Sequence, residues 1–251
     1  ESKFKEGIRN YIKTYANSNV DWNGLVTILD QKTDIDLKKW SDVWVNATGR
    51  PVFSADIQYD TSGKIKQFIL AQKAEDGSDR FWPQSFAISL VYEDRITSIP
   101  VVSNAGKIEV AEALGRPKPL SVFYNSDGYG YGIFPVNEHN VMQIGSLESE
   151  VARAHAYLNS YENTLNGTIA SPVIFENLIE GLATEANELI LRMIARQASD
   201  LYWNLFTKQQ RERYQPDLEK TIYTRLKGSD AEKVKKTLFN AYQSIAHDET
   251  G

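Results

Sequence analysis

One change of period constrains this chain more than any other feature. In residues 36–53, the first half places Leu37, Trp40, Val43 and Trp44 at helical spacing, with both indoles on one face. From Pro51 to Tyr59 the residues read instead as an extended strand. A helical unit therefore meets a strand-rich one here.

The strand pattern runs to about residue 136 in seven stretches: 51–59, 64–73, 85–92, 95–102, 107–113, 119–124 and 130–136. Turn signals separate them at Asp60–Gly63, Glu75–Ser78, Asn104–Gly106 and Ser126–Gly128. Short strands at near-regular spacing predict a small antiparallel β-sandwich. Three short amphipathic helices are expected before it, at 3–16, 22–31 and 36–46, entered at Asp21 and at Asp34 or Asp36; they are too small to form a core alone. From about 146 the period is helical, giving five to seven antiparallel helices without a fixed-length repeat. Ser171-Pro172 reads as a capping hydroxyl before a first-turn proline, Thr184 as the cap of a helix carrying Leu189 to Tyr202, Pro216 as the opening of another, and Ser229–Glu232 as a capping box. Domains are expected at 1–47, 48–137 and 138–251.

With 251 residues, 41% of them hydrophobic and 24% charged, the composition is that of a soluble globular protein large enough for more than one core. The net charge of −5 is spread with both signs interspersed, so no field favours a nucleic acid partner. No run of about 18 apolar residues predicts a membrane span, and the start shows no signal-peptide pattern. Cysteine is absent, which removes disulfides, thiolate ligands and cysteine nucleophiles together. Glu1 leads directly into a helical pattern at Phe4, Ile8, Tyr11, Ile12 and Tyr15, which reads as the cut edge of a longer protein whose exposed helices could self-associate.

Chemistry-bearing motifs are sparse. His139, His155 and His247 are scattered, without metal-ligand spacing, and read as ordinary surface or packing residues. Gly128-Tyr-Gly-Tyr-Gly132 resembles a phosphate loop in composition, but strand-like residues follow it, which favours a β-turn with aromatic packing. Glu180, Glu185 and Glu188 could form an acid/base pair, although Glu185 and Glu188 fall at an expected helix start, where acids suit the dipole. Trp40 and Trp44 could stack a ligand, but at this spacing they read as core. Asn46-Ala-Thr48 and Asn166-Gly-Thr168 fit glycosylation sequons. No catalytic or metal-ligating residue is assigned.

The order of several motifs nevertheless resembles the zinc aminopeptidases of the aminopeptidase N family. Phe4, Gly7, Tyr11 and Ile12 fit a helix of that family near the end of its catalytic domain; Asp36, Leu37, Trp40, Trp44, Gly49 and Pro51 fit the next helix and the turn into a β-sandwich. Phe81 to Leu90 is similar to a sandwich strand, and Asn125, Gly128, Gly130 and Tyr131 are in register with the family's strand-pair motif. Ser171-Pro172, Phe175 and Ala183–Glu185 are similar to helix starts of its C-terminal bowl. The resemblance covers nearly the whole chain. Gly132 and Ile133 depart from it, standing where many members carry a second aromatic and an arginine.

The resemblance implies a helical remnant of a thermolysin-like catalytic domain, then an antiparallel β-sandwich, then an all-α array forming a wall over the active site. The implied parent is a zinc metalloaminopeptidase that removes N-terminal residues from peptides, its zinc polarising the scissile carbonyl. Zinc ligands and catalytic residues of the family lie upstream of the matched region, so this chain is expected to hold no cofactor, to be inactive alone, and to have the upstream catalytic domain as its partner. A catalytically inactive scaffold with the same C-terminal pattern remains the alternative.

Overall fold

The computed structural model describes residues 2–228 and 231–245. Three helices open the chain: α1 (Ser2–Thr14), α2 (Trp22–Asp30) and α3 (Leu37–Ser41), the last continuing as a π-helical turn over Asp42–Asn46. Asp21 and Asp36 are the caps, accepting from the Gly24 and Lys39 amides at 3.0 Å each. Trp40 and Trp44 stack with ring centroids 5.9 Å apart, and the Trp44 indole donates to the Pro83 carbonyl at 3.2 Å. The indoles thus join the helices to the strand region.

These helices are thinly packed. Only Gly7, Val26 and Ser41 are buried within them, and none of their residues enters either large apolar core. Ile8, Leu25, Ile28, Trp40 and Trp44 are half-buried, whereas Phe4, Ile12, Trp22, Ile35 and Val45 are exposed. Removing residues 1–47 should therefore leave the remainder folded and at least as monodisperse. Light scattering and circular dichroism on the two chains decide it; cooperative loss of the remaining structure would contradict it.

Six strands follow: β1 (Pro51–Tyr59), β2 (Ile65–Ala74), β3 (Gln84–Val91), β4 (Ile96–Ser103), β5 (Lys107–Glu109) and β6 (Ser121–Tyr124). They pair antiparallel into two three-stranded sheets, ordered β1-β2-β5 and β4-β3-β6. Between the sheets, Phe53, Phe86 and Phe134 pack with centroids 4.5–5.5 Å apart, beside Phe68, Ile88, Leu90 and Ile99. Two expected strands are corrected. The stretch 107–113 ends as a strand at Glu109 and turns through a 3-10 segment at 111–113. The stretch 130–136 reduces to one parallel bridge between Ile133 and Val52. There, Gly132 sits at φ 132°, and a Cβ would lie 2.5 Å from the Pro51 carbonyl oxygen; Pro135 then lacks the N–H that a ladder needs.

β3 is buried on both faces. Phe86, Ile88 and Leu90 belong to the core between the sheets, whereas Val91, with Phe123 of β6, belongs to a second core built from the helices. Those helices are α4 (Glu138–Met142), α5 (Glu150–Leu165), α6 (Ser171–Thr184), α7 (Glu188–Asp200, continuing as a π turn over Leu201–Leu205), α8 (Lys208–Gly228) and α9 (Glu232–Ile245). None is long and apolar enough to cross a membrane.

Three helix starts differ from expectation. Ser171 lies inside α6, behind Ala170, and makes no capping bond. Thr184 is in the last turn of α6, bonded back to the Glu180 carbonyl at 2.9 Å, and Asn187 caps α7 through the Leu189 and Ile190 amides. Pro216 lies inside α8, because Thr207 and Gln210 form a reciprocal cap upstream: each side chain takes the other's amide, at 3.3 and 2.9 Å. The capping box at Ser229 falls outside the described residues.

Candidate functional site

The loop after β6 is where the glycine-rich stretch lies, and its amides from Gly128 to Tyr131 are already engaged. Asn125 adopts a left-handed conformation (φ 55°); its side chain accepts from the Gly130 amide at 2.6 Å and donates to the Gly130 carbonyl at 2.9 Å. The Tyr131 amide donates to Gln84 Oε1 at 2.7 Å, and Gln84 Nε2 returns a bond to the Tyr131 carbonyl at 3.1 Å. Amides held in this way do not cradle a phosphate. The stretch is a side-chain-clamped loop that presents Tyr129, 83% exposed, to solvent.

Behind the loop lies a cleft of about 220 Å³, lined by Arg50, Asn125, Gly132, His155, Asn159 and Glu162 among others. Arg50 spans it, donating to Glu162 at 2.7 Å and to Glu75 at 3.1 Å, and so ties the start of β1 to α5. Asn125 Nδ2 lies 3.2 Å from His155 Nδ1. Because that nitrogen of Asn125 is a donor, His155 accepts at Nδ1 when neutral and carries its proton on Nε2.

Burial lowers the His155 pKa below its ordinary value, with Asp127 pulling it upward less strongly. The unfolded chain therefore takes up a proton first. Stability should be highest above the ordinary histidine value of about 6.5 and fall as pH drops through the window between that value and the lower folded one. Thermal unfolding by circular dichroism between pH 7.5 and 5 checks this. Replacing His155 with glutamine should flatten the profile over that window; an unchanged profile would count against the assignment.

A second cleft, of about 860 Å³, runs between α6 and α8 and is lined by Glu176, Arg213, Tyr214, Asp217, Lys220 and Arg225. Tyr214 donates to Glu176 at 2.7 Å, and the Arg213 guanidinium lies 5.1 Å from the Tyr214 ring centroid. Arg225 donates to the Leu182 carbonyl at 2.6 Å and to the Glu185 carbonyl, satisfying the end of α6. Its lining carries charges of both signs. Beneath it, Glu185 is buried and clamped by Arg153 through paired bonds of 2.9 and 3.0 Å, and it also accepts the Asn187 amide at 2.8 Å. Burial pushes the Glu185 carboxyl up, but the Arg153 bonds and charge and the nearby amides outweigh it, so its pKa is lowered.

The carboxylates considered from sequence serve separate ends. Glu180 is exposed, Glu185 is the buried partner of Arg153, and Glu188 stands in the first turn of α7 and pairs with Lys233 at 3.7 Å. His139 is exposed in the last turn of α4, and His247 lies outside the described residues. Asn46 and Asn166 are exposed, bonded to Asp42 and to the Glu162 carbonyl respectively. Among the described residues, no group of three His, Cys, Asp or Glu side chains could hold a metal ion. Arg50, Arg153 and Arg225 went unmarked in the sequence; the turn Gly49-Arg50-Pro51 was the only signal near any of them.

No family model matches the chain. Over 217 residues it is 23% identical to the Aminopeptidase N of Streptomyces lividans, in an alignment that covers 78% of this chain and 25% of that protein. The chain spans about a quarter of that relative's length. The similarity supports an aminopeptidase-like relationship.

Proposed function

We propose that this chain is a non-catalytic C-terminal part of a zinc-dependent aminopeptidase that removes N-terminal residues from peptides. Residues 1–47 are the last helices of the catalytic domain, 48–137 the β-sandwich spacer, and 138–251 the helical wall that limits access to the active site and shapes the space for the peptide beyond the scissile bond. The carrying observation is the 217-residue similarity to an Aminopeptidase N, on a chain whose elements follow the order helices, paired sheets, helices. The thin packing of α1, α2 and α3, with Phe4, Ile12 and Ile35 exposed, supports an additional partner for those helices.

The coding frame upstream of Glu1 tests the reading. An H-E-x-x-H motif with a downstream glutamate, and aminopeptidase activity of the complete product, are the expected results. An upstream region of similar fold without that motif would replace the peptidase with an inactive interaction scaffold.

A further inference from the structure

The two sheets end in four edges, β1, β5, β4 and β6. An edge strand offers unpaired N–H and C=O groups to any passing chain, and folded proteins blunt it. β4 carries Pro100 in its middle, β5 is three residues long, and β6 receives the Asn140 side chain on the Val122 carbonyl at 3.3 Å. β1 is nine residues long and has neither lysine nor proline after its first residue. Only its beginning is covered. Phe53 donates to the Ile133 carbonyl at 2.8 Å, and Ile133 donates to the Pro51 carbonyl at 2.9 Å.

Those two bonds fix which way the strand faces. If the main-chain groups of residues 51 and 53 point away from β2, so do those of Ala55 and Ile57, since the pleat repeats every two residues. β1 pairs with β2 alone beyond the Ile133 bridge, and among the described residues the outward N–H and C=O of Ala55 and Ile57 have no partner. Among the described residues, the segment that began to cover the edge bridges β1 only at Ile133.

A slot of about 430 Å³ lies beside this open stretch. Ala55, Ile57 and Tyr59 line it from β1 and Val122 from β6, all only partly buried although they pack on the sandwich core. Two polar groups have unused capacity. Ser121, 3% exposed and in the lining, has a hydroxyl oxygen with no hydrogen-bond partner. Lys118 is the one charged residue among the lining residues; its ammonium lies 5.4 Å from the Tyr59 ring centroid, and among the described residues it forms no ion pair.

We propose that this slot binds an extended peptide segment, which adds to β1 at Ala55 and Ile57 as a fourth strand. Main-chain bonds to the open edge hold it, alternate apolar side chains fill the seam over Ile57 and Val122, and a carboxylate of the peptide meets Lys118. Pro135, Asn137 and Asn140 also line the slot. A second copy would have to bring its own sheet in behind its edge, and two chains of net charge −5 repel. The proposal is independent of the aminopeptidase reading.

The test uses the full chain and an acetylated seven-residue peptide of alternating valine and threonine ending in aspartate. Controls are its C-terminal amide with asparagine in place of aspartate, and a version N-methylated at alternate residues. Hydrogen exchange should show the Ala55 and Ile57 amides open in the free chain and protected by the first peptide, but not by the N-methylated one. Ile57→Pro removes an N–H that has no internal partner, and should weaken binding about tenfold or more. Lys118→Glu should weaken the acidic peptide and spare the neutral one; this arm decides the matter if Ile57→Pro fails to fold. Absence of binding, binding indifferent to both substitutions, or a dimer in ultracentrifugation that Ile57→Pro dissociates would each overturn the proposal.

Discussion

Replacing Arg153 with methionine should lower folding stability by about 3–5 kcal/mol, because it strands a carboxylate inside the helical core. The Glu185 side chain is 3% exposed and that of Arg153 15%, so solvent screens the pair little. Arg153 also donates to the Leu147 and Glu148 carbonyls at 2.7 and 2.9 Å, and these would lose their partner as well. The pH dependence carries the signature. In the parent chain the Glu185 pKa is lowered, so its contribution is present above the ordinary carboxylate value and lost as pH falls through the folded one. In the variant only burial's upward push and the amide bonds remain, so the deficit should narrow as acid neutralises the carboxyl. Urea unfolding at pH 7 and pH 5 measures both quantities. A deficit under about 1 kcal/mol at pH 7 would mean that water or a neighbour takes over the carboxylate.

Phe175 is the second position where a large loss is expected. It is fully buried on α6, and its ring centroid lies 4.6 Å from that of Phe206, 5.4 Å from Tyr214 and 6.4 Å from Tyr202. One side chain thus joins α6 to the π turn after α7 and to α8. Phe175→Ala should cost about 3–5 kcal/mol, combining lost transfer energy with a cavity that the rings held by the π turn and by α8 cannot collapse to fill. Near-UV circular dichroism should also weaken as the ring cluster loosens. A loss below about 1.5 kcal/mol would show that the neighbouring rings close the gap.

What was readable in the sequence follows from the range over which each signal acts. The first two strands were expected at 51–59 and 64–73 and occur at Pro51–Tyr59 and Ile65–Ala74, since period and turn residues act within a few positions. The start of α8 was missed because a proline is a louder cue than Thr207 and Gln210, whose reciprocal bonds need no proline at all. Ile133 to Val136 looked like a strand because its apolar run is real. What stops it is the close approach of Gly132 to Pro51, a contact across 81 positions that no local pattern encodes. The same limit hid the cleft: Arg50 and Glu162 are 112 residues apart, and neither neighbourhood hints at the other.

The burial of β3 on both faces has a bearing on how this molecule could be altered. Along β1 and β4 exposed positions alternate with buried or half-buried ones, so every second residue is open to a change of charge or polarity. From Phe86 to Val91 every residue is buried. Between Phe86 and Val91, solubility mutations, labels and affinity handles therefore have no landing place; on this strand only Ser85 is exposed. Any variation from Phe86 to Val91 must suit two separately packed interiors at once, which makes this stretch a narrow passage in the sequence space open to the protein.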